Sequence, residues 1–85
     1  MSHHANARFW EAYQGLPLEI RRQADEAFEL LKKNPRHPSL HLKKVGRYWS
    51  VRVSRTHRAV GVASPEGILW FWIGTHDDYT RLVSC

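Results

Sequence analysis

Cysteine is nearly missing from this chain: the only one among its 85 residues is Cys85, the last. No intrachain disulfide and no cysteine-based metal knuckle can form, so a reducing compartment is the expected setting. Long apolar runs are missing as well. The longest covers residues 68–73, far short of the roughly 20 residues that cross a bilayer. Met1-Ser2-His3-His4-Ala5-Asn6 lacks the apolar stretch of a secretory signal. These gaps predict a soluble, cytoplasmic protein with no membrane partner. Phosphate-binding glycine loops, dinucleotide fingerprints and Gly-x-Ser-x-Gly elbows are absent too. His37 and His41 are four apart, but Pro38 between them prevents the helix that would align them on zinc. No metal and no cofactor is expected.

Acidic residues are missing from the middle of the chain. None lies between Glu29 and Glu66, and that gap holds nine of the 13 lysines and arginines: Lys32, Lys33, Arg36, Lys43, Lys44, Arg47, Arg52, Arg55 and Arg58. The formal net charge is +5. Segregation of this kind raises a positive potential over one part of a surface and favours polyanions. A solvated basic face without a partner is the plainer alternative.

What is present suffices for one thin core. Four Trp, three Tyr and three Phe are distributed over 85 residues, a length that makes one domain spanning 1–85. Asn6 suits the cap of a short helix running to about Tyr13, which Gly15 ends. A second helix is predicted over 17–33, with Ile20, Ala24, Ala27, Phe28 and Leu31 as its apolar stripe. Asn34-Pro35 stops it. Alternation then takes over: a segment beginning at Leu40-His41-Leu42, strands over 48–54 and 58–63, and an inner strand over 68–73 that Gly74 ends. A short helix over 76–84 closes the chain. The expected architecture is α+β, an N-terminal helical hairpin packed on a three- to four-stranded antiparallel sheet, with a short C-terminal helix.

Period-two alternation turns Trp49, Val51 and Val53 toward the core and Ser50, Arg52 and Ser54 away from it. If 48–54 pairs with 58–63 across a short turn, Arg52 and Arg58 share the outer face. Two adjacent guanidiniums repel unless an anion lies between them, and each presents a planar fork that fits phosphate oxygens. The alternative is pairing with Glu66, Asp77 or Asp78. His76 stands just past the last strand and can exchange a proton near neutrality. Tyr79 lies three residues on, on the same side of a helix. Backbone capping by His76 and plain packing by Tyr79 are the alternatives. Lys43, Lys44 and Arg47 form a basic edge suited to phosphate contacts that position a nucleic acid without reading its sequence. Arg55 and His57 in the neighbouring turn join the candidate RNA-binding surface. Lysines on an edge strand also block sheet-to-sheet aggregation.

The ordered set Asn34-Pro-Arg-His-Pro-Ser-Leu40, Leu42-Lys-Lys-Val45, Trp49-Ser-Val-Arg-Val-Ser54, Arg58-Ala59 and Trp70-Phe-Trp-Ile-Gly-Thr-His-Asp-Asp-Tyr79 resembles the RelE/ParE superfamily of bacterial type II toxin–antitoxin toxins. The Leu16-Pro17 helix start fits as well. The resemblance implies a helical hairpin on a sheet and a toxin held by a cognate acidic antitoxin. It further implies a metal-independent, ribosome-dependent endoribonuclease acting on mRNA. Carried over by position, the catalytic set falls on Arg52, Arg58, His76 and Tyr79. Departures accompany the match. Many members carry a second basic residue where Ser50 stands and an aromatic where His57 stands, and the usual N-terminal strand is expected to be truncated or absent. ParE-like members imply an alternative without catalysis, inhibition of DNA gyrase. A basic nucleic-acid-binding module without toxicity is the third reading.

Overall fold

Asn6 starts the first helix as its position requires: its Oδ1 accepts from the Phe9 backbone N–H at 3.1 Å. The structure, a computed structural model, describes residues 2–84; Met1 and the expectation placed on Cys85 lie outside them. Helix α1 covers Ala7–Gln14 and ends at Gly15. Helix α2 covers Leu18–Lys33, with Glu19 in its first turn and Lys32 and Lys33 in its last, matching the helix dipole. A 3-10 turn at Pro38–Leu40 follows. His41 then adopts a left-handed conformation at φ 46°, so the alternating segment expected from Leu40 starts later. Strands β2 (Lys43–Val45), β3 (Tyr48–Arg52), β4 (His57–Ser64) and β5 (Gly67–Thr75) lead into helix α3 (His76–Ser84). Gly74 does not end β5; the strand runs one residue further, still paired with β4.

Two expectations need correction. The N-terminal strand is not absent: Ser2–Ala5 forms strand β1, four residues long and parallel to β5, with Ser2 opposite Gly67 and Ala5 opposite Trp70. The sheet is therefore five-stranded and mixed, in the order β1-β5-β4-β3-β2, not a three- or four-stranded antiparallel meander. Two histidines made the segment look polar, yet His3 turns inward. Its ring stacks on Trp70 with centroids 6.2 Å apart, and its Nδ1 accepts from the Trp70 indole at 3.3 Å. Gly67 makes the close approach of β1 possible. It sits at φ 149°, and a Cβ there would collide with the Ser2 backbone.

One sheet face holds the core. Phe9, Ala24, Leu31, Leu40, Val51, Ala59, Ile68, Trp70 and Ile73 pack there, with Trp49, Val53, Ala27 and Phe28 against them. Burying each such large side chain contributes roughly 1.5–3 kcal/mol. Trp70, only 1 % exposed, is the largest of the fully buried residues. The opposite face is covered in part by α3, which lies over β4 and β5. Val60 and Ser50, both 0 % exposed, and Tyr79, at 6 %, are buried there outside the main core. Among the described residues, no helix is long and apolar enough to cross a membrane.

Candidate functional site

Arg52 closes β3 and Arg58 lies near the start of β4, and the register sets them directly opposite each other. Cross-strand partners project to the same face. The alternation that sends Val51 and Ala59 into the core gives both arginines backbone positions on the opposite face. Only Arg58 lies against α3 there, while Arg52 reaches round to line a cleft beside α2. Ion pairs among the described residues are His4–Glu66, Lys32–Glu29 and Arg81–Asp78; neither arginine of the cross-strand pair takes part in one. Arg52 Nε makes only a long contact, 3.4 Å, to the Ser54 carbonyl oxygen. Arg58 lays its guanidinium over the Tyr79 ring, with Cζ 5.3 Å from the centroid. Its Nη1 is buried without a hydrogen-bond partner. A buried, unsatisfied donor costs roughly 1–3 kcal/mol, and here it belongs to a permanent cation on the face opposite the core.

Tyr79 organises the neighbourhood from below. Its hydroxyl donates to Ser50 Oγ at 3.3 Å, and its ring lies 5.7 Å from that of His76. Arg58 and His76 thus flank one aromatic ring. His76 itself is exposed. Its backbone N–H donates to the Thr56 carbonyl at 2.8 Å, and Thr75 Oγ1 caps α3 by accepting from the Asp78 N–H at 3.2 Å. The backbone is anchored and the imidazole left outward. It opens on a cleft of about 520 Å³ lined by Arg55, Thr56, Thr75, His76 and Asp77.

The other candidates scatter. Lys43 pairs with Ser50 and shares the arginines' face, whereas Lys44 pairs with Trp49 and points the other way. Arg47 is at the far end of β3 from Arg52, its Nη2 donating to the Tyr48 hydroxyl at 3.1 Å. Arg55 also borders a second cleft, of about 410 Å³, between α2 and the β3–β4 turn; Arg52, Gln23, Glu26 and Ser39 line it too. The His57 ring hydrogen-bonds Thr56 Oγ1 at 2.7 Å, and partial burial lowers its pKa from the usual imidazole value. Ser50 is the residue whose role escaped sequence reasoning. It is visible there only as a break in the expected pattern of basic residues, and nothing local reveals a tyrosine reaching it from 29 positions away. No three His, Cys, Asp or Glu side chains gather into a possible metal site among the described residues.

The fold matches solved structures along nearly its whole length. The RelE toxin of the Methanococcus jannaschii RelB–RelE antitoxin–toxin complex superposes with a TM-score of 0.72 at 13% identity, covering 93% of this chain and 96% of that one. A YoeB/ParE toxin from Agrobacterium tumefaciens gives 0.67 at 19% identity, with 89% and 99% covered. The isolated Escherichia coli RelE toxin gives 0.61 at 16% identity, with 96% and 94% covered. No curated protein matches the sequence significantly. The sequence profile of the ParE-like toxin domain matches residues 18–81, from the start of α2 into α3, and the chain belongs to that family.

Proposed function

We propose that this protein is the toxin of a toxin–antitoxin pair and cleaves messenger RNA on the ribosome, with its own side chains supplying the chemistry. The observation that carries the reading is the cross-strand pair Arg52–Arg58, unneutralised by carboxylates, with Arg58 Nη1 buried and unpaired. An RNA phosphate is the anion that such a pair fits. The 2′-oxygen attacks the adjacent phosphorus, the phosphorus–5′-oxygen bond breaks, and the products are a 2′,3′-cyclic phosphate and a 5′-hydroxyl. The proton leaves the 2′-hydroxyl and another arrives on the 5′-oxygen. His76, exposed and sharing the Tyr79 ring with Arg58, serves as acid or base for one of these transfers, a contribution of typically ~10²–10⁴-fold. The two guanidiniums stabilise the phosphorane-like transition state as its charge grows. Tyr79 is buried, so its part is to hold Arg58 rather than to stack on a base. Lys43 and Arg55 supply further phosphate contacts nearby; Arg47 lies at the far end of β3, His57 adjoins Arg58 in β4, and Lys44 faces the other way.

The partner is an acidic antitoxin segment that orders on binding and covers the cationic face. Structures of similar fold solved as RelB–RelE complexes support an antitoxin partner as such. Inducing the protein and mapping transcript ends, wild type beside Arg58→Ala and His76→Ala, tests the reading. New transcript ends and an early stop of translation are expected for wild type, with growth restored in both variants. Full toxicity in both variants overturns the site assignment. DNA synthesis stopping first would move the protein to gyrase inhibition.

A further inference from the structure

The outer sheet face carries an aromatic row that the chemistry above leaves unused. Tyr48, Ser50 and Arg52 share one side of β3 by alternation, and register continues that side through Val62, Val60 and Arg58 on β4 to Leu69, Trp72 and Gly74 on β5. A β-bulge interrupts the β4–β5 ladder. Val60 pairs with Trp72 and Gly61 with Trp70, so Phe71 has no partner across the ladder. Bulges re-aim side chains. Here Phe71 joins the outer face beside Trp72, its ring centroid 6.0 Å from that of Tyr48. The Trp72 indole reaches over Gly74, where an added Cβ would come within 2.5 Å of the ring. Gly74 is in turn the register partner of Arg58. Tyr48, Phe71 and Trp72 are all partly exposed, and none packs against the core cluster.

Resting on the reading of the arginine pair as an RNA-phosphate site, we infer that Trp72, with Phe71 and Tyr48 behind it, is a stacking platform for the bases next to that phosphate. Single-stranded RNA is bound where a cationic track runs beside aromatic faces, because every base offers a π-face and the phosphates supply charge. Both components lie on one sheet face here, and the platform begins at the register position next to Arg58. Arg47 extends the charge to the far end of the row, its Cζ 5.2 Å from the Tyr48 centroid. Tyr79 cannot stack, being buried beneath Arg58 with its hydroxyl on Ser50. An acidic protein segment could cover an apolar row as well. The continuity of the row with an unpaired arginine favours nucleic acid, whose bases and phosphates alternate along one strand.

The test is binding of fluorescein-labelled oligouridine and oligoadenosine to the whole protein, followed by anisotropy across a salt series. Trp72→Leu is expected to weaken both probes about 5- to 100-fold with the salt slope unchanged, and Trp72→Phe to keep most of the affinity. Phe71→Leu, outside the core, should weaken binding a few-fold and serves if Trp72→Leu does not fold. Arg58→Ala should instead lower the salt slope by about one. Wild-type affinity in Trp72→Leu and Phe71→Leu, with Arg58→Ala impaired, overturns the platform while leaving the arginine site standing. So does loss of binding to an acidic protein partner with RNA affinity intact. No salt-dependent RNA binding by wild type overturns both.

Discussion

The Tyr79 hydroxyl donates to Ser50 Oγ across 3.3 Å, joining α3 to the middle of β3 beneath the Arg58 guanidinium. The bond lies in a buried place, with Ser50 at 0 % and Tyr79 at 6 % exposure. Removing it with Tyr79→Phe should cost about 0.5–1.5 kcal/mol and leave the ring under Arg58. Growth inhibition should survive that change and fail in Tyr79→Leu. Ser50→Lys has no room for a solvated ammonium here, because Ser50 is fully buried beneath Tyr79. A large drop in the urea midpoint is expected, and an unchanged midpoint would show that α3 does not cover this position.

If Arg58 serves the proposed site, it should set function against stability. Its Nη1 is buried without a hydrogen-bond partner, so Arg58→Met is expected to raise unfolding stability by about 1 kcal/mol while abolishing toxicity. Chemical denaturation and growth assays on the same variant check both halves. A destabilised, toxic Arg58→Met would contradict them.

Acid should loosen the fold through two histidines. Burial lowers the pKa of His3, helped by the charges of the N-terminus and His4, and burial lowers that of His57. Each is held neutral in the folded chain, so the unfolded chain binds protons first as pH falls. Stability from this source is fully present above the ordinary imidazole value of 6.5 and is lost as pH drops through the lowered folded values. Urea midpoints from neutral to mildly acidic pH should fall. His3→Phe, which keeps the stack on Trp70 without a titrating nitrogen, should flatten part of the decline.

Gly67→Ala should detach β1. The added Cβ meets the Ser2 backbone, and φ 149° is strained for any other residue. A loss of about 1–3 kcal/mol is expected, with amide exchange accelerated in residues 3–5 before the rest of the sheet. Uniform acceleration would mean that β1 does not open separately.

Local chemistry made most elements readable. The Asn6 cap, the Gly15 stop and the dipole-matched charges of α2 act within a few residues of themselves. Helix α3 fell on 76–84 as expected because its capping threonine and its apolar spacing are local too. The cross-strand arginines were legible for a related reason, since alternation and a short turn leave little freedom of register. Strand β1 was not. Its partner lies more than 60 residues away, and its inward histidine signals burial only once Trp70 is there to stack on.

Composition and spacing alone therefore decided the charge segregation, the helical hairpin and the facing arginines, because each follows from interactions between near neighbours in the chain. Only the folded molecule decided that β1 closes the sheet, that Tyr79 is buried on Ser50, and that a bulge turns Phe71 outward beside Trp72. Those outcomes depend on surfaces brought together from distant segments, where packing and register select among options that local sequence leaves equal in energy.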